Sequence, residues 1–218
     1  MHFSGLSAER MREITRAAAR GAERSDFHLT RFFMYSSLSG VLAAHDSPSK
    51  SCLAVSDSSR LAGILGLKAV EVVNVSYPEQ SLLALKIADA AFDFCVSDQV
   101  FHHLEGNPFD AMRESLRVLR PGGFAVHTTA FINPVYRTPP DFWRFTPEAL
   151  ALMCQAAEGI VVGTGAWGNK EALALIQIGL RRIKVPLDPA HPLHQIAVLN
   201  DPEWPIVTWL VAQKPFAP

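Results

Sequence analysis

Arg117-Val118-Leu119-Arg120-Pro121-Gly122-Gly123 sits inside the longer stretch from Phe92 to Thr146, and its reading decides the fold. Upstream, Ala91-Phe92-Asp93-Phe94-Cys95-Val96-Ser97 is a short apolar run suited to a buried or half-buried strand. From Pro108 to Leu119 apolar residues recur at helical spacing, with Ala111, Leu116 and Leu119 on or near one face. Pro121 cannot continue that helix, and Gly122 and Gly123 permit a reversal before Phe124 to Thr129, which reads as the next strand. The unit is strand, helix, turn, strand.

Outward from it the pattern repeats. Cys52 to Val55 is a first strand, Leu61 to Leu67 a following helix, and Val70 to Val75 a second strand. Downstream, Thr146 caps a helix with Pro147 at its first position, reaching about Gln155. Ile160 to Val162 reads as a strand, Gly163 to Asn169 as a loop, Glu171 to about Ile183 as a helix, and Pro205 to Gln213 as a final strand. Strands alternating with helices imply parallel pairing in a three-layer α/β sandwich. At the front, Ser7 caps a helix to about Arg20 with Met11, Ile14 and Ala18 on one face, and a second helix runs from Asp26 or Phe27 to about Ala44. The expected organisation is an N-terminal helical extension or lid over 1–46 and a main domain over 47–218.

With 218 residues, 49% of them hydrophobic and 19% charged, the chain can bury a sizeable core. Twenty Lys and Arg balance 21 Asp and Glu, so no overall field draws it to nucleic acid or an anionic membrane. Cys52, Cys95 and Cys154 lack ligand-like spacing and sit among apolar neighbours, which suits buried thiols rather than a disulfide framework or metal site. No run approaches the roughly 20 apolar residues that span a bilayer. A soluble, cytoplasmic protein is expected, with no metal.

Phe92-Asp93 opening a strand, Gln99 to Leu104, and Arg117 to Gly123 before another strand together resemble the second half of a class I S-adenosylmethionine (SAM)-dependent methyltransferase. Pro139-Pro140-Asp141-Phe142-Trp143-Arg144-Phe145-Thr146, with Ala166-Trp167-Gly168-Asn169 later, is similar to a bacterial subgroup linked to small-molecule or surface-glycan modification. The resemblance implies a Rossmann-like, mostly parallel sheet with an antiparallel C-terminal strand, and SAM as cofactor.

Against the family pattern the cofactor loop departs. An acidic residue and three glycines are replaced by Ala54, Ser56, Ser58 and Arg60. At the end of the second strand Ser76 stands where a carboxylate would grip the ribose, and Ser81 replaces an acidic residue near the adenine. Ser56, Ser58, Arg60, Ser76 and Gln99 are the cofactor-side candidates. The serine turn has two readings: a hydroxyl-rich cationic cradle for a phosphate or carboxylate, or a loop that drifted to turn-compatible polar residues.

His102 and His103 occupy the family's Glu-His position and are the candidate general bases. Adjacent histidines point apart in a strand and lie about 100° apart in a helix, so they make poor joint metal ligands. His127, Tyr136, Asp141, Trp143 and Arg144 are the candidate substrate contacts, with Tyr136 where the subgroup carries a histidine. Asp141 and Arg144 also read as a structural ion pair pinning an aromatic lid. Two functions stay open: a methyltransferase acting on a hydroxyl or amine of a small molecule or glycan, and a methyltransferase-fold protein without SAM that serves as a binding or partner subunit, as a homodimer or with another protein.

Overall fold

A computed structural model describes residues 7–19 and 22–216. Contacts divide the chain into two units, residues 38–165 with 208–218, and residues 1–37 with 166–207.

The larger unit is built on a six-stranded sheet of order β3-β2-β4-β5-β8-β6. Its strands are β2 (Ser51–Val55), β3 (Glu71–Val75), β4 (Phe92–Asp98), β5 (Leu119–Ala130), β6 (Ile160–Trp167) and β8 (Val207–Gln213). β2 pairs in parallel with both β3 and β4, and β4 with β5. β8, inserted between β5 and β6, is the antiparallel strand, as expected. Burial explains the composition: Cys52 to Val55 and Phe94 to Ser97 are buried because central parallel strands are covered on both faces, whereas edge strand β3 has only exposed and half-buried residues. Leu53, Cys95 and Ala125 align across the register and share one core with Met112, Leu116, Leu150 and Leu210. Each such leucine contributes about 1.5–3 kcal/mol by burial.

Three helices of this unit follow from local chemistry. α4 (Pro108–Arg117) starts where the Asn107 side chain accepts from the Phe109 amide, with Pro108 at the first position. α5 (Pro147–Ala156) is capped by Thr146, whose side chain accepts from the Ala149 amide at 3.2 Å. α3 (Ser59–Ile64) begins and ends earlier than the helix expected over 61–67, turning at Gly66.

Two expectations need correction here. β5 begins at Leu119, not Phe124: Leu119 faces Phe92, the register then shifts, and Gly122, at φ +79°, carries the irregularity. The segment Gly163 to Trp167, expected as loop, continues strand β6. A Cβ at Gly165 would stand 2.3 Å from the Trp209 ring, so this glycine admits an aromatic packing over the strand rather than ending it.

The smaller unit contains α1 (Ala8–Ala19), β1 (Arg24–His28), most of α2 (Leu29–Leu38), α6 (Lys170–Gln177), β7 (Lys184–Pro186) and α7 (Pro192–Val198). Ser7 Oγ accepts from the Arg10 amide at 3.1 Å, the expected cap of α1. Arg20 and the side chains of Met11 and Ala18 lie outside the described residues. The helix expected from Asp26 or Phe27 to Ala44 is corrected: Arg24–His28 is a strand antiparallel to β7, and α2 stops at Leu38. The helix expected to Ile183 ends at Gln177, after which Gly179, at φ +90°, turns the chain into a short 3-10 segment.

Candidate functional site

Strand order fixes where a ligand can sit. The chain leaves β2 for β3 on one side and returns to β4 on the other, so the carboxyl ends of β2 and β4 flank the switch in direction. A cavity of about 410 Å³ opens there, between Val55 and Ser56 after β2 and Asp98, Gln99 and Val100 after β4. This lies within the range of small-molecule sites, about 300–1,000 Å³.

The backbone around it is held in unusual conformations. Ser56 and Asp57 have φ of 56° and 59°, and Gln99 has φ of 61°, a left-handed region costly for non-glycine residues. Ser56 and Asp57 thus form a left-handed turn immediately after β2. Surrounding bonds enforce it: the Ser56 amide donates to Val75 O at 2.7 Å, and buried Ser58 Oγ donates to Val55 O while accepting from the Asp98 amide at 2.8 Å. Ser58 is thus a brace between β2 and β4. Gln99 is fastened to Thr128 by amide and side chain, both 3.1 Å from Thr128 Oγ1.

The other wall comes from the short helix Phe101–His103 and the proline-rich segment. His103 lines the cavity with Leu104, Glu105, Pro139, Pro140 and Phe142. His103 Nδ1 bonds Pro140 O at 2.7 Å. The His102 carbonyl accepts from the Phe142 amide at 2.8 Å, and Trp143 Nε1 donates to Leu104 O at 2.9 Å. Asp141 receives both arms of Arg144, at 2.9 and 2.6 Å, and the Tyr136 amide at 2.7 Å. Burial pushes the Asp141 carboxyl up, but these hydrogen bonds and nearby positive charge outweigh it and hold it below its usual range.

The sequence candidates therefore separate. Ser56, Gln99 and His103 line the cavity; Ser58, Arg60 and Ser76 do not. His102, 2% exposed, packs inward with Nδ1 3.1 Å from Thr129 Oγ1. His127 is buried between strands, its Nδ1 2.8 Å from Ser97 Oγ, rather than facing the cavity. Tyr136, Asp141, Trp143 and Arg144 do not line the cavity; they hold the segment that presents Pro139, Pro140 and Phe142, with Asp141 and Arg144 joined as an ion pair. Asp98, Glu105, Tyr77 and Phe142 were missed. Asp98 carried a signal, since it ends the strand beside Gln99.

The 3-10 geometry also changes the histidine pair. Their ring centroids are 4.0 Å apart, and donor atoms of His102, His103 and Asp141 lie within 4.8 Å of one another. Both Asp141 oxygens already bind Arg144, His103 Nδ1 bonds Pro140 and His102 Nδ1 meets Thr129. The Arg144 charge opposes a metal ion in this cluster.

Comparison with known proteins agrees with this architecture. The family described as Methyltransferase domain matches residues 37–127. The Burkholderia thailandensis 1,6-didemethyltoxoflavin-N1-methyltransferase structure, with 1,6-didemethyltoxoflavin and S-adenosylhomocysteine bound, superposes with TM-score 0.54 at 13% identity, over 87% of this chain and 80% of that one. The fold is that of a class I methyltransferase. Haemonchus contortus phosphoethanolamine N-methyltransferase 2, in complex with SAM, gives 0.52 at 11% identity, over 84% of this chain and 52% of that one. No curated protein matches in sequence. Among the described residues no helix is long and apolar enough to cross a membrane.

The methyltransferase fold implies SAM, and the cavity residues can be tested against it. Backbone shape fits, since the left-handed turn at Ser56 and Asp57 stands at the switch point. The lining includes one carboxylate after β2 and β4, that of Asp98, whose Oδ1 accepts from Thr128 Oγ1 at 2.5 Å. At the β3 end the lining offers Tyr77, Gln80 and Ser81, neutral polar groups in place of a ribose-gripping carboxylate.

Proposed function

We propose that this chain binds SAM in the cavity between β2 and β4 and transfers its methyl group to a hydroxyl or amine of a small molecule or glycan. One observation carries the reading: the cavity at the switch point is open and lies against the left-handed turn at Ser56 and Asp57. When bound, SAM supplies an electrophilic methyl on a positively charged sulfur. The turn and Gln99 would cradle the nucleoside, and Asp98 would face its positive end. Val100, Leu104 and Phe142 exclude water. His103 takes the acceptor proton at Nε2, because Nδ1 is engaged with Pro140 O.

Replacing a ribose carboxylate by neutral groups removes a charged hydrogen bond, about 1.5–3 kcal/mol, so affinity falls roughly tenfold to hundredfold. Calorimetric titration with SAM and S-adenosylhomocysteine tests this. Saturable micromolar binding supports it; no heat at millimolar cofactor removes it. The lack of a carboxylate at the β3 end favours a second reading, a binding or partner subunit without SAM, and that second outcome is what it predicts.

A further inference from the structure

Thr128 stands near the end of β5, opposite Asp98 in the parallel register, and is fully buried. Its hydroxyl meets three groups. Oγ1 donates to Asp98 Oδ1 at 2.5 Å and accepts from the Gln99 amide and from Gln99 Nε2, both at 3.1 Å. A threonine hydroxyl has one proton and two lone pairs, so this one is saturated. An ionised carboxylate only accepts; the proton therefore goes to Asp98, and Gln99 must turn its Nε2, not its Oε1, toward Thr128. That leaves the side-chain oxygen and one N–H of Gln99 for a ligand. Asp98 and Gln99 both line the cavity, whereas Thr128 does not. The bonds cross between neighbouring strands where Gln99 takes its left-handed φ of 61°.

We infer that Thr128 is a positioning residue of this cavity: one buried hydroxyl, set behind the lining, fixes both the Asp98 carboxylate and the Gln99 side-chain amide in the orientation that receives the cofactor. The inference rests on the SAM-binding reading for the word cofactor, and adds to it the residue that aligns the β4 wall. A hydroxyl that merely clipped the strand ends would contribute stability alone, and a clip exists without it: the Gln99 amide also donates to Thr128 O at 2.9 Å. That backbone bond survives a change of side chain, so Oγ1 can be removed without unpairing the end of β4 from β5.

The test compares, in the full chain, Thr128→Val, which keeps the branched shape and removes the hydroxyl, with Thr128→Ser, which keeps the hydroxyl. In calorimetric titration with S-adenosylhomocysteine, Thr128→Val is expected to bind about three- to tenfold more weakly than the parent chain, and Thr128→Ser within about twofold of it. Without ligand, NMR relaxation of the Gln99 side-chain amide is expected to show an ordered group in the parent and in Thr128→Ser, and a mobile one in Thr128→Val. Equal affinity of the parent and Thr128→Val, or an equal loss in both variants, overturns the inference. So does a Gln99 side chain of the same mobility in all three chains, and a mobile one in the parent overturns it before any variant is made. The relaxation readout needs no cofactor: if the parent binds none, the methyl-transfer reading falls, and the order of Gln99 alone decides for or against Thr128.

Discussion

His103 Nδ1 lies 2.7 Å from the carbonyl oxygen of Pro140. A carbonyl can only accept, so Nδ1 carries the hydrogen and Nε2 is the basic nitrogen of the neutral ring. The proline-rich segment, otherwise a wall of the cavity, thereby selects which imidazole nitrogen is left to accept a proton. Nitrogen-edited NMR of the neutral ring is expected to show the Nδ1–H tautomer. His103→Ala is expected to lower turnover about 10²–10⁴-fold with little change in KM. An Nε2–H ring, or full turnover in the variant, contradicts this.

Asp141 and Arg144 fasten that segment. The aspartate side chain is 3% exposed and the arginine's 26%. Because the folded carboxyl titrates below the ordinary 3.8, its stabilisation is complete above that value and fades as pH falls through the lower, folded one. Asp141→Asn is expected to cost about 2–3 kcal/mol at pH 7, the same down to about pH 4, and less only below the ordinary 3.8, by denaturant unfolding.

Buried His127 works in a different pH window. Burial lowers its pKa from 6.5 to about 3, so between these values the unfolded chain binds a proton that the folded one refuses. Its stabilising share is complete above 6.5 and declines as pH drops, by up to about 1.4 kcal/mol per pH unit. His127→Leu should flatten the slope of unfolding free energy between pH 6.5 and 4.5, roughly the span where this one group dominates. An unchanged slope would show that another group carries it.

Ser56→Gly should relieve the left-handed strain at φ 56° and keep the amide bond to Val75 O. The expected gain is about 1 kcal/mol, or roughly 2–4 °C in Tm. A loss of stability would mean that the serine side chain does more than tolerate the turn.

The central unit was legible because its signals are local: Phe92 to Ser97 is mostly apolar, Pro108 and Thr146–Pro147 mark helix starts, and Gly122 marks a break in register. What failed depended on distant partners. Arg24–His28 is polar enough to pass for a helix start until β7 supplies its pairing, and Gly163 and Gly165 read as loop until Trp209 covers the strand. In the site, the loop's serines were visible, yet the left-handed backbone at Ser56 was not, because serine is an improbable residue for that region. Glu105 and Phe142 lie 37 positions apart in sequence, brought to one wall by the His102 carbonyl and Trp143 indole bonds. No periodicity announces such a pairing.

The most direct test of the account is a crystal structure grown with S-adenosylhomocysteine. The account predicts the nucleoside lying over the Ser56–Asp57 turn, with its amino-acid end toward Asp98 and its sugar hydroxyls met by Tyr77, Gln80 or Ser81. An empty cavity at saturating ligand, or the nucleoside bound elsewhere on the chain, would contradict it.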